Sequence, residues 1–255
     1  MDRNWRNHLH WRVWTNRLGG ETFWILILLL VVLGGSWGFV ELADEVMEGD
    51  TQSFDERVVQ SLRQPGDLQQ PLGPVWLEEV GRDLTALGGV TVLLLVTAAV
   101  VGYLLLDGKY HAALFVLAAI GGGFVLTFAL KSFFERPRPS FVPHLTQVYT
   151  ASFPSGHAML SAVVYLTLGA LLVPLVARRL KIYVLTIALL LTLVVGLSRI
   201  YMGVHYPTDI LAGWVAGLAW ATLSLLLLRW LQRRGQAETA GEHGEHGELG
   251  VGGRW

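Results

Sequence analysis

The stretch Ile182-Tyr-Val-Leu-Thr-Ile-Ala-Leu-Leu-Leu-Thr-Leu-Val-Val-Gly-Leu-Ser198 holds no Asp, Glu, Lys or Arg, and Arg199 ends it. A helix that crosses a bilayer needs roughly 20 predominantly apolar residues, and this run comes close. Five more runs read the same way: Phe23–Val40, Leu84–Leu106, Tyr110–Leu130, Ala158–Ala177 and Ile210–Leu228. None of them is charged, and only Tyr110–Leu130 contains a histidine. A soluble core does not produce six such runs in 255 residues. Backbone groups in lipid must be satisfied within their own segment, so the runs are read as helices. No alternating ten-residue pattern suggests a membrane barrel. The expected fold is all-α: an integral membrane six-helix bundle over 23–231, with an N-terminal segment 1–22 and a C-terminal tail 232–255.

Composition agrees. Hydrophobic residues make up 53% of the chain and charged residues 15%, against about 25% charged in an ordinary soluble domain. A disordered chain needs the opposite balance. The net charge of −1 gives no bulk electrostatic case for nucleic acid. Cysteine is absent, which excludes disulfides, thiolate metal sites and cysteine nucleophiles. The first run has basic residues before it, as a signal peptide does. Its 18 residues exceed the core of about 7–15 typical of a signal peptide, so it is kept as a span.

Lys and Arg in the connections set the orientation. Arg3, Arg6, Arg12 and Arg17 precede the first run, Lys109 follows the second, Arg178, Arg179 and Lys181 follow the fourth, and Arg229, Arg233 and Arg234 follow the sixth. These segments alternate onto one side, assigned to the cytoplasm together with both termini. The opposite side receives an acidic loop with Glu41, Asp44, Glu45, Glu48, Asp50, Asp55 and Glu56. Trp5, Trp11 and Trp14 among the N-terminal arginines suit an interfacial segment or a generic anchoring flank. Phe54, Val58, Val59 and Leu62 follow helical spacing, as a loop helix or a membrane-surface helix near a substrate entrance would. Pro65–Pro74 breaks that loop, and the Gly- and Glu-rich tail from Gly235 is expected to be disordered. Its Glu-His-Gly-Glu-His-Gly stretch matches a metal-binding pattern only weakly.

Several cations fall on the side the orientation rule disfavours. Lys131, Arg136 and Arg138 lie in Lys-Ser-Phe-Phe-Glu-Arg-Pro-Arg-Pro between the third and fourth runs, and Arg199 stands at the turn between the fifth and sixth. Snorkelling accounts for one lysine at a helix end. It accounts poorly for a group of cations beside two histidines, for which a shared anionic ligand is the better explanation. Phe-Pro-Ser-Gly-His at 153–157 opens the fourth run. Ser155 is a good helix cap. A helix N-terminus also offers free N–H groups and a positive dipole end to phosphate, and Gly156 permits close approach. His157 at that mouth is placed to pass a proton to a leaving group. At 198–209, His205 and Asp209 are four apart across Pro207. A carboxylate on one imidazole nitrogen fixes the tautomer and leaves the other nitrogen free to attack.

Together the three segments resemble the signature of the type 2 phosphatidic acid phosphatase family, which shares its site with vanadium-dependent haloperoxidases. The pieces are Lys131-x6-Arg138-Pro139, Pro154-Ser155-Gly156-His157 and Ser198-Arg199-x5-His205-x3-Asp209. They cover about 80 residues in the family's order, and no motif position departs from it. The resemblance implies that His205 attacks phosphorus, Asp209 orients it, and His157 protonates the leaving oxygen and later activates water. It implies that Lys131, Arg138, Arg199, Ser155 and Gly156 hold the phosphoryl oxygens. Phosphoryl transfer asks mainly for positioning and charge stabilisation, so no metal or other cofactor is expected. Arg136 is read as a bystander and Glu135 as an offset to local positive charge. Gly213 and Gly217 have the small-xxx-small spacing that permits close helix packing at the Asp209 end of the sixth helix, though a Gly-rich chain also produces it by chance.

The implied function is hydrolysis of a membrane lipid phosphate or diphosphate at the outer face of a bacterial inner membrane. Isoprenoid diphosphate, phosphatidylglycerol phosphate and phosphatidic acid are the substrate classes. Transfer of the phosphoryl group to a second lipid uses the same residues and is not separable by sequence. A haloperoxidase fits the six spans poorly. A transporter site would sit near the bilayer midplane among broken helices and intramembrane charges, whereas here the charges stand at span ends.

Overall fold

The computed structural model describes residues 5–148 and 150–248, with side chains over 22–148 and 150–233. Eight α-helices follow one another: α1 (Trp5–Glu48), α2 (Gln52–Ser61), α3 (Val75–Ala86), α4 (Val90–Leu106), α5 (Tyr110–Phe134), α6 (Gly156–Leu172), α7 (Arg178–Tyr201) and α8 (Pro207–Glu248). A short 3-10 turn, Val173–Leu175, follows α6. The chain divides into two compact units, residues 29–222 and residues 1–28 with 223–255. In the smaller unit Phe23 and Trp24 meet edge to face at 5.9 Å, and Phe23, Trp24, Leu227, Trp230 and Leu231 are exposed.

Among the described residues, five helices are long and apolar enough to cross a membrane: Thr22–Glu48, Tyr110–Phe134, Gly156–Leu175, Arg178–Tyr201 and Pro207–Arg233. The expected second span is not one straight helix. It is α3 and α4, bent by 44°. The break falls at Leu87-Gly88-Gly89, and a glycine pair is a common cause of such kinks. The count is therefore five spans, or six if the bent pair is one. The acidic residues Glu41, Asp44, Glu45 and Glu48 belong to α1, which runs on past the expected end of the first span. The fold is all-α apart from an antiparallel hairpin within the described residues, β1 (Arg63–Gln64) and β2 (Asp67–Pro71). Pro65 and Gly66 form its turn, with Gly66 at φ +85°. A fixed proline φ followed by a positive φ is what a tight turn of this kind demands.

Three apolar clusters hold residues 29–222 together. Leu93, Val101, Ala113, Val116, Ile120, Leu160, Val163 and Val164 join α4, α5 and α6. Val59 of α2 packs with Val142, Ala158, Ile200, Tyr206 and Ile210, so α2 is anchored through Val59 while Phe54 stays exposed. Ala43 and Val46 of α1 pack with Phe153 and Ala212. The Gly213–Gly217 expectation is met. A Cβ on Gly213 would lie 2.8 Å from Ser155 O, and one on Gly217 would lie 2.6 Å from Met159 O. Only glycine lets α8 approach the start of α6 so closely. Leu33, Trp37, Leu95, Phe128 and Ile182 remain exposed on the spans. Lipid tails are as apolar as leucine, so a bundle in a bilayer has little reason to hide them. The expected interfacial segment 1–22 and the tail 232–255 with its histidines fall almost wholly outside the residues with described side chains.

Candidate active site

Antiparallel helices bring the motif residues to one end of the bundle. Lys131 lies in the last turn of α5, Ser155–His157 open α6, Arg199 lies in the last turn of α7, and Asp209 in the first turn of α8. The long connection from α5 to α6 carries Arg138, and the short one from α7 to α8 carries His205.

His205 is 1% exposed. Its Nδ1 lies 3.3 Å from Asp209 Oδ2 and 3.2 Å from Ser152 Oγ. Its Nε2 lies 3.1 Å from Arg138 Nη1. A guanidinium only donates hydrogen bonds, so Nε2 is the accepting nitrogen and the ring proton sits on Nδ1, facing Asp209. The Asp209 carboxylate is 0% exposed. Its Oδ2 also accepts from Ser152 Oγ at 2.5 Å and from the Tyr206 N–H at 2.9 Å. The His–Asp spacing across Pro207 thus closes as expected. Burial, then the positive charges of Arg138, Arg199 and Lys131 and the nearby His157, push the His205 pKa well below its ordinary 6.5.

The cations are held by backbone carbonyls and two threonine hydroxyls. Arg138 donates from Nε to Thr150 O at 2.9 Å and from Nη1 to Val204 O at 2.6 Å. Burial lowers its pKa to about 10, with Asp209 opposing the shift. Lys131 Nζ donates to Ala151 O at 2.6 Å. Arg199 Nη1 donates to Thr85 Oγ1 at 3.1 Å, and its buried Nε has no partner among the described residues. That open donor stands in the cationic group that acts on both histidines.

The N-terminus of α6 completes the arrangement. A Cβ on Gly156 would come 3.2 Å from Lys131 Cε, so glycine keeps the helix mouth close to the lysine. Gly156 and His157 are half-buried, which leaves them accessible at that mouth. Ser155 is fully buried; its Oγ accepts from the Ala158 N–H at 3.5 Å and its own N–H donates to Asp209 O at 2.9 Å. It is the helix cap, and it ties α6 to α8. Its capping role was legible, but its hydroxyl is less free for a phosphate than the motif implies.

Arg136 is no bystander. It is 7% exposed and donates from Nη1 to Asp209 Oδ1 at 2.7 Å and from Nη2 to Asp55 Oδ2 at 2.8 Å. Burial alone would lower its pKa, but the two carboxylates outweigh burial and raise it. Glu135, in contrast, is exposed and caps α5 in a left-handed conformation, φ 43°. Sequence reasoning also missed Ser152, Asp55, Thr208 and Thr85. Ser152 and Thr208 had a local signal: the first stands one residue before the Phe-Pro-Ser-Gly-His run and the second directly before Asp209 in the 198–209 segment.

A family model described as the PAP2 superfamily matches residues 112–234. The chain is similar to phosphatidylglycerophosphatase B of Bacillus subtilis (strain 168), 34% identical over 186 residues, which span 71% of this chain and 86% of that protein. A shorter likeness, 33% identity over 66 residues, is to an undecaprenyl-diphosphatase of Sulfolobus acidocaldarius and covers 26% of this chain and 28% of that one. Among solved structures, a transmembrane PAP2 type phosphatidylglycerolphosphate phosphatase from Bacillus subtilis matches with a TM-score of 0.70 and 31% identity, over 76% of this chain and 94% of that one. With the ordered motifs and the membrane helices, these likenesses establish that the chain belongs to the PAP2 superfamily.

Proposed function

We propose that this lipid phosphatase hydrolyses the phosphomonoester of a glycerophospholipid, with phosphatidylglycerol phosphate the first choice, through a phosphohistidine on His205. The observation that carries the reading is the polarity of the His205 ring: Nε2 faces Arg138, and Nδ1 faces Asp209. That arrangement turns a lone pair toward the cations that would hold a phosphate. In the first step Nε2 attacks phosphorus. The Nε2–P bond forms and the P–O bond to the lipid breaks. The electron pair leaves on the lipid oxygen, which takes a proton from His157. Asp209 stabilises the phosphoimidazolium. In the second step water attacks phosphorus and yields a proton to His157. The Nε2–P bond breaks, freeing inorganic phosphate and neutral His205. Lys131, Arg138, Arg199 and the Gly156 N–H hold the phosphoryl oxygens. A phosphomonoester carries a charge of about −1.5 to −2 near neutral pH, so three cations match it without a metal.

The substrate choice rests on the phosphatidylglycerophosphatase relative, which matches over most of both chains. The distribution of Lys and Arg supports both termini inside and the site at the outer face of the cell membrane. The test is phosphate release by the full-length protein in detergent. Phosphatidylglycerol phosphate, phosphatidic acid and an isoprenoid diphosphate are compared by kcat/KM, each with and without EDTA, beside His205→Ala. The expected result is preference for phosphatidylglycerol phosphate, insensitivity to EDTA and loss of activity in the variant. Preference for the isoprenoid diphosphate overturns the substrate, and full activity of His205→Ala overturns the mechanism.

A further inference from the structure

Asp55 lies on α2, far upstream of the matched family segment, and its side chain is 0% exposed. Both its oxygens are engaged by the elements around the catalytic carboxylate. Oδ1 accepts from the Thr208 N–H at 3.1 Å, and Oδ2 from Arg136 Nη2 at 2.8 Å and from Thr208 Oγ1 at 2.5 Å. Thr51 Oγ1 adds a 3.3 Å bond to Oδ2. Arg136 also donates from Nη1 to Thr208 Oγ1 at 2.9 Å and stacks 4.4 Å above the Tyr206 ring. The far end of this chain of contacts is Asp209 Oδ1, while Oδ2 of the same carboxylate serves His205.

A loop clamp would need hydrogen bonds but not this sequence of charges. Arg136 bound to Asp209 alone would draw negative charge away from His205. Shared with Asp55, it leaves the three groups with a net charge of −1, directed at a ring that becomes cationic when phosphorylated. Fully satisfied buried networks of this kind also fix side-chain geometry.

Resting on the phosphohistidine reading above, we propose that Asp55 is a positioning residue for the chemical step: through Arg136 it fixes the Asp209 carboxylate and preserves its charge toward His205. Asp55→Asn keeps the shape and removes the charge. The expected loss in kcat is about 10- to 100-fold, the scale found when an outer partner of a site ligand is removed, with KM nearly unchanged.

The pH profile gives a readout that a merely structural role would not move. The groups facing His205 are Arg138, Arg199, Lys131, His157 and Asp209, all retained in the variant. Removing a nearby negative charge disfavours the imidazolium further, so the acid limb of kcat/KM should move to lower pH. Thr208→Val removes one hydroxyl from the same network. It serves where Asp55→Asn does not fold, and it should show a smaller kcat loss in the same direction. Folding is checked by unfolding temperature and gel filtration of the full chain in detergent. A folded Asp55→Asn, or a folded Thr208→Val in its place, with wild-type kcat and an unmoved acid limb overturns the proposal. Wild-type turnover in the same assay keeps the two readings apart: no phosphate release sinks the function, whereas wild-type release matched by the variants sinks only the role of Asp55.

Discussion

The two sides of the His205 ring differ in charge, in burial and in how completely their bonds are filled. On the Nδ1 side Asp209, Ser152, Arg136 and Asp55 are buried and bonded to one another. On the Nε2 side stands Arg138, half-buried like Lys131 and His157 of the same motif group, in which Arg199 keeps an unfilled donor. The difference teaches a division of labour. A sealed network can hold one geometry because every group has a partner. An open cationic group has free capacity, which is what a phosphate needs.

Substitutions on the two sides should therefore fail in different ways. The largest effect belongs to the ring itself: His205→Ala should lower kcat by about 10⁶-fold, the order seen when a catalytic nucleophile or its base is removed. Next comes Asp209→Asn on the sealed side. It should cost about 10³- to 10⁴-fold in kcat, as loss of an orienting carboxylate does elsewhere, with KM little changed. On the open side Arg199→Ala should cost about 10²-fold, near the value for one preorganised donor, and it should raise KM as well. Equal KM effects from Asp209→Asn and Arg199→Ala would erase the distinction. Rates from purified protein over a substrate range decide this.

Smaller effects test the scaffold and the pH dependence. Gly217→Leu puts side-chain atoms where Met159 O now sits and should destabilise by about 1–3 kcal/mol. Chemical denaturation measures that loss, and the kcat of the remaining folded protein should stay near wild type. In the proposed mechanism His205 attacks in its neutral form, and its pKa is held well below 6.5. Activity should therefore persist below pH 6.5 and disappear only as pH falls through the lowered value. An acid limb at or above 6.5 assigned to His205 would mean that the ring is solvated. The same shift makes neutral His205 stabilise the fold above pH 6.5, and that contribution shrinks as pH drops toward the lowered pKa.

Much of the open side was legible in the sequence because its residues sit in short motifs at the ends of apolar runs. Lys131, His157 and Arg199 each stand at a helix terminus, and termini can be read from where hydrophobicity stops. The sealed side was only half legible. The His205–Asp209 pair is local, four residues apart. Asp55 and Thr208 are 153 residues apart and meet only because α2 folds under the α7–α8 connection. Nothing in the local pattern distinguished Asp55 from the other acids of its loop. Arg136 was misread for the same reason: its two carboxylate partners are 73 and 81 residues away. The bend between α3 and α4 escaped because mean apolarity is blind to a glycine pair that breaks an otherwise continuous run. Thr85, which accepts from Arg199, lies beside that break.

The central claim is that Nε2 of His205 carries the phosphoryl group, and rapid chemical quench tests it most directly. The full-length protein is mixed with a lipid phosphate labelled with ³²P in the phosphomonoester and quenched within a turnover. The account predicts a phosphoenzyme that is labile in acid and stable in alkali, mapped to a peptide spanning 198–209 and absent from His205→Ala. Wild-type turnover with no phosphoenzyme, or label retained in His205→Ala, would contradict it.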